Sequence, residues 1–192
     1  MTSSPKAPGQ DYAERCYRSS AGIGGGVLLL GLAAWLGGDA IVGGEGGTPW
    51  LALAGLLFAV PLIIAFTLRP AVWAGEERLL VRNPFRTITL SWDSVEAVRA
   101  GYSSEVLAGG AKYQLWAIPV SLRQRKRAAR ASARGGDESS RAPSDQAVQE
   151  LNELAEQHTA GEGSAPTVRW AYELIVPALV GLVLFVVLAV VA

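Results

Sequence analysis

The sequence predicts an α+β membrane protein: three transmembrane helices plus a small antiparallel β domain with a C-terminal amphipathic helix. Three observations carry this reading. Residues 21–38, 50–68 and 174–192 are apolar runs without a charge; wound as helices, each covers roughly 27–29 Å, close to the hydrocarbon thickness of a bilayer. Residues 69–173 are polar and begin with the two-residue alternation of strands. Charged residues make up 18% of the 192-residue chain and mean hydropathy is +0.26, whereas soluble domains carry about 25% charged residues. Three spans and one small domain use up that length.

Residues 1–20 read as a cytoplasmic N-terminal tail. They contain Asp11 and Glu14, and the apolar run that follows exceeds the roughly 7–15 residues of a signal-peptide core, so retention of the first span is expected rather than cleavage. Cys16 is the single cysteine; it precedes the apolar stretch instead of following it, and is expected as a free thiol with no disulfide or metal role. The hairpin 21–68 places helices at about 21–43 and 50–68. Gly22 and Gly26 stand at GxxxG spacing, which lets helices approach closely. Packing on the second span accounts for the pair, with self-association as the sharper alternative. A phosphate-binding loop is excluded because no Gly-Lys-Ser/Thr follows the glycines. Pro61 and Pro177 lie within spans, where proline is tolerated. No ionisable residue lies deep in any span, which argues against a transporter or channel, since ion and proton paths need one.

Basic residues near span ends set orientation. Lys6, Arg15 and Arg18 precede the first span; Arg69, Arg78 and Arg82 follow the second; Arg169 precedes the third. The connection between the first two spans carries only Asp39 and Glu45. The expected location is therefore the cell membrane, multi-pass, with the N-terminus and polar domain cytoplasmic and the C-terminus outside. Trp50, Trp73, Trp170 and Tyr172 lie near span ends, where amphipathic rings favour the interface.

In the polar segment, residues 86–92 (RTITLSW) alternate Ile88, Leu90 and Trp92 against Thr87, Thr89 and Ser91, a half-buried strand. Residues 78–82 form another, and Asn83-Pro84-Phe85 supplies the reversal. Residues 95–102 and 112–120 read as further strands, punctuated by Gly101, Gly109 and Gly110. Trp92, Val95, Val98, Tyr113, Leu115 and Trp116 are the expected core. Residues 121–134 are good helix formers that Gly135 and Gly136 could end; residues 135–144 read as a loop. Ser144 is the expected cap of a helix through His158, with Ala147, Val148, Leu151, Leu154 and Ala155 as its apolar stripe. Its other face, Gln146, Gln149, Glu150, Asn152, Glu153 and Glu156, has no basic residue, so the helix is expected to pack on the β domain rather than adsorb to an anionic bilayer. Residues 159–167 read as a flexible link.

The run GEERLLVRNPFR from Gly75 to Arg86, followed by Trp92-Asp93-Ser94-Val95 and Trp116-Ala117-Ile118-Pro119, resembles the bacterial PH-like domain family, more narrowly the branch named after the low-molecular-weight protein antigens of actinobacteria. The resemblance covers residues 69–120 and implies a membrane-tethered, PH-like barrel or partial barrel without catalytic activity. It departs from a full seven-stranded PH barrel, because five or six strands are countable and the helix follows a long insertion. No segment matches the phosphoinositide signature of eukaryotic PH domains, so ligand specificity does not carry over. The organisation is then a PH-like cytoplasmic domain over 69–158, with a basic segment at 121–134 and a helix at 144–158, a linker at 159–173 and the third span at 174–192.

One charged motif stands out. Arg123, Arg125, Lys126, Arg127, Arg130 and Arg134 put six positive charges into twelve residues, and as a helix Arg123, Arg127, Arg130 and Arg134 share one stripe. A solvated cytoplasmic face is one reading. Contact with anionic lipid head groups is the functional one, each residue contributing about 1 kcal/mol. Nucleic acid is not expected, because the tract has no aromatic residue on which bases could stack. No catalytic, metal or cofactor site is expected: Asp93, Glu96 and Glu105 lie on different β segments, and the single histidine, His158, lies far from them in sequence. The expected partners are the bilayer and a membrane-protein partner or second copy, with no small-molecule substrate. Function is read as a non-catalytic scaffold or adaptor at the cytoplasmic face that binds a protein or anionic lipid; the alternative is an accessory subunit of a cell-envelope or transport complex.

Overall fold

The computed structural model describes residues 15–121, 123, 126, 142–158 and 164–191. Three helices are long and apolar enough to cross a membrane: Ser20–Gly43 (α1), Thr48–Leu68 (α2, whose last turn Ile64–Leu68 is a π turn) and Tyr172–Val191 (α4). Ser19 caps α1 by accepting from the Gly22 amide at 3.1 Å. Pro49 occupies the first turn of α2, where its missing N–H costs nothing. α2 lies in the middle, packed against α1 and α4. A Cβ on Gly26 would stand 2.2 Å from the Thr67 hydroxyl oxygen and one on Gly22 would stand 3.4 Å from the Thr67 carbonyl. The GxxxG face is thus occupied within the chain.

The polar part forms two antiparallel sheets. Strands β1 (Arg15–Tyr17), β2 (Ala71–Ala74), β3 (Arg78–Arg82), β4 (Arg86–Ser91) and β8 (Thr167–Trp170) form one in the order β1-β2-β3-β4-β8. Strands β5 (Val95–Ala100), β6 (Ser104–Ala108) and β7 (Ala111–Gln114) form the other. Gly109 and Gly110, with φ of 56° and 72°, make the two-residue turn between β6 and β7 that only such residues accept cheaply. Val72, Leu79, Val81, Ile88, Leu90, Val98, Val106 and Leu115 fill the core around Trp92. The Trp92 indole N–H donates to the Gly75 carbonyl at 2.9 Å.

Helix α3 (Pro143–Gln157) covers this core with Ala147, Val148, Leu151 and Ala155. Asn152 fastens it to a strand: its Oδ1 accepts from the Val98 amide at 2.8 Å and its Nδ2 donates to the Val98 carbonyl at 2.9 Å. That is the pair of bonds a neighbouring strand would make.

Several expectations are corrected. Residues 15–17 and 167–170 are edge strands, not tail and link; with the six strands β2–β7 of the PH-like stretch, the upper of the two expected counts, the described residues hold eight. Residues 115–121 are turn and irregular chain rather than strand, and β6 is an additional strand. Ser144 is not the cap: Ala142 takes that position with Pro143 next, and the Ser144 hydroxyl is buried without a partner. Trp116 is 44% exposed rather than core, because it packs outward on Phe66.

Candidate functional site: a basic groove on the open face of the sheet

Strand pleating sends alternate residues to opposite faces. In the five-stranded sheet one face closes on the core and the other stays half-exposed. Register fixes what stands there. Arg82 is opposite Thr87, and Thr87 is opposite Arg169; in the next row Cys16, Trp73, Leu80, Thr89 and Thr167 follow one another. Arg69, Arg82 and Arg169, with Thr87, Thr89, Leu80, Trp170 and Glu173, line a groove of about 500 Å³. It lies where α2 enters the sheet and β8 leaves it for α4.

Arg69 forms the fixed floor. Its Nε donates to the Asn83 carbonyl at 3.2 Å, one Nη to Glu173 at 3.0 Å and the other to the Thr87 hydroxyl at 3.2 Å. Its side chain is 14% exposed. The Arg82 guanidinium carbon rests 4.8 Å from the Trp73 ring centroid, a cation–π contact that leaves its N–H groups available at the edge. Arg169 is exposed on β8. Three guanidinium groups thus face one carboxylate, Glu173. Farther from the helices the same face bears a second hollow of about 550 Å³, lined by Glu76, Glu77, Arg78 and Gly75. The face is polarised, positive toward the helices and negative at the far turn.

A second feature fixes the height of the groove. Phe66, in the last turn of α2, meets the Phe85 ring edge-on at 5.2 Å and the Trp116 ring at 5.6 Å. Asn83, 2% exposed, holds that corner: it donates to the Gln114 carbonyl at 2.8 Å and accepts from the Trp116 amide at 3.4 Å. Arg18 donates to the Leu68 carbonyl at the end of α2. The domain therefore rests on the ends of the helices through side chains as well as through the chain.

At the opposite edge of the sheet, the Tyr17 hydroxyl donates to Glu150 of α3 at 2.6 Å, and Arg15 pairs with the same carboxylate at 3.4 Å. Burial, then the hydrogen bond to Glu150, pushes the Tyr17 phenol from 10.0 up to about 12. The folded chain holds this proton to higher pH than the unfolded chain, so the contribution is complete below about pH 10 and is lost as pH rises through about 12. A tyrosinate absorbance titration of wild type minus Tyr17→Phe should show a single step later than an ordinary phenol. A step near pH 10, where an ordinary phenol titrates, would contradict the docking of β1 on α3.

Of the predicted lipid-contact residues, Arg123 and Lys126 are helical and exposed, and neither lines the groove. Arg125, Arg127, Arg130 and Arg134 lie outside the described residues. Among the described residues no group of histidine, cysteine and carboxylate side chains converges to hold a metal. Glu96 accepts from the Gly110 amide and Glu105 from the Ser103 hydroxyl, so both serve turns. Reading from sequence treats Arg69, Arg82 and Arg169 as orientation signals and misses their convergence; the alternation on β3, which puts Arg82 on the polar face, is the signal available.

Two antiparallel sheets covered by a C-terminal helix, with a polar groove outside the core, define a small binding module. Residues 69–157 match the bacterial PH domain family, and the chain carries a bacterial PH-like domain. PH domains are in general non-catalytic binding modules. The match begins at the end of α2 and ends with α3, so strands β1 and β8 lie outside it. No curated protein and no solved structure matches the chain.

Proposed function

We propose that the protein is a membrane-anchored, non-catalytic scaffold or adaptor that holds its PH-like domain at the cytoplasmic face and binds a protein or anionic lipid there. One observation carries the reading: the five-stranded sheet is joined to an apolar helix at three places. β1 leads into α1, α2 leads into β2, and β8 leads into α4. A module tied this way has a fixed height and tilt above the bilayer, and its half-exposed face stays presented in one direction. Fixed presentation suits docking of another component, whereas a soluble recruiter would be tied once and loosely. The basic residues flanking the helices support a cytoplasmic position for that face.

The single cysteine gives a direct test, because Cys16 is exposed on β1. A membrane-impermeant maleimide should label it in inside-out vesicles and leave it unlabelled in sealed right-side-out ones. The reverse pattern would overturn the cytoplasmic placement.

A further inference from the structure

We propose that the groove between Arg69, Arg82 and Arg169 holds the phosphate of an anionic phospholipid from the adjoining leaflet. The proposal rests on the anchored reading above and names the ligand of the same face. Its argument begins with charge. Three guanidinium groups against Glu173 alone leave a net charge of +2 in one groove, and Arg82 and Arg169 flank Thr87 across neighbouring strands. Guanidinium forks match phosphate oxygens in geometry as well as sign, and hydroxyls such as Thr87 and Thr89 supply neutral donors beside them.

Depth selects a lipid over a soluble phosphate. Arg69 directly follows the last residue of α2, Leu68, and Glu173 lies in the first turn of α4. Trp170 and Tyr172, 54% and 65% exposed, stand at the rim where aromatic belts lie. The contacts of Phe85 and Trp116 with Phe66 hold the neighbouring corner at the level of the helix end. The groove therefore opens at head-group height, where anionic lipid is concentrated and the local dielectric is below that of water. The PH family match does not extend to β8, which brings Arg169 and Trp170 to the groove.

The test uses the full-length protein in detergent micelles doped with phosphatidylglycerol or phosphatidylcholine, with bound lipid counted by native mass spectrometry. Phosphatidylglycerol should be retained over phosphatidylcholine. Arg82→Gln with Arg169→Gln should weaken retention roughly 25-fold, about fivefold for each charge. Glu173→Gln should strengthen it by removing the opposing carboxylate, and Arg78→Gln, on the same face at the far turn, should leave it unchanged. Should the double variant not fold, Arg169→Gln alone, on the exposed strand, should still give about a fivefold loss. Equal retention of the two lipids, or a double variant and Glu173→Gln both indistinguishable from wild type, would overturn the proposal. Complete displacement of phosphatidylglycerol by millimolar inorganic phosphate would also overturn it, in favour of a soluble-phosphate site. The anchored reading fails separately, if carbonate strips the protein from membranes.

Discussion

Trp92→Ala should destabilise the PH-like domain by about 3–5 kcal/mol, the range for emptying a buried aromatic site. Trp92 heads the fully buried side chains by volume. It sits in the short 3-10 turn Trp92–Ser94, where the chain crosses from the first sheet to the second. Its ring stacks on His158 at 5.9 Å and its N–H satisfies the Gly75 carbonyl. One side chain thus joins the turn before β3, the crossing between sheets and the end of α3. Removing it opens a cavity and leaves Gly75 without its donor. Trp92→Phe keeps most of the volume and loses the bond, so its cost should be nearer 1 kcal/mol. Pulse proteolysis of the intact protein in urea, scored on cleavage within the domain, would give both values. Coincident midpoints for wild type and Trp92→Ala would show that the indole does not organise the core.

What the sequence revealed of this fold depended on how local each cause was. Apolar length alone marks the three helices, and β3 and β4 announce themselves because large apolar residues alternate with Thr and Arg. Strand β6 does not, because its core-facing residues are Ser104, Val106 and Ala108, two of them too small to register as an apolar period. Strands β1 and β8 are only three and four residues long, too short for an alternation to register. They exist because β2 and β4 offer them edges, which no local window contains. The same nonlocality hides the groove. Arg82 and Arg169 are far apart in sequence, and only the pairing of β3, β4 and β8 brings them into one row. Ser144 misled for another reason: it is a good capping residue, but Pro143 fits the first helical position and moves the cap back to Ala142. Trp116 misled because a large aromatic side chain has two apolar destinations in a membrane protein, and Phe66 draws it to the second.

Gly181→Leu should be the most damaging change in the apolar helices. A Cβ there would stand 2.4 Å from the Phe58 amide nitrogen and 2.6 Å from the Leu57 carbonyl carbon. Both are backbone atoms of α2, so no side chain can swing aside. Along the same seam Ala54 and Ala178 are buried, and a Cβ on Gly55 would meet the Phe185 ring at 3.6 Å. Close approach matters here because hydrocarbon solvates apolar side chains as well as a neighbouring helix does, leaving contact between surfaces as the main attraction. Forcing a side chain into this seam should cost about 1–3 kcal/mol, read as a fall in the midpoint of unfolding by SDS. Gly24→Ala is the matched control, since a Cβ at that glycine meets no atom within 4 Å. The consequence reaches the groove. α4 follows β8 after the single residue Ala171 and carries Glu173 in its first turn. Displacing α4 from α2 pulls the edge strand β8, and Arg169 with it, away from β4, so Gly181→Leu should lower phosphatidylglycerol retention although it changes no charge. If the SDS midpoint fell and retention stayed whole, the helix seam and the groove would be independent, and the rigid joining of helices to sheet would be wrong.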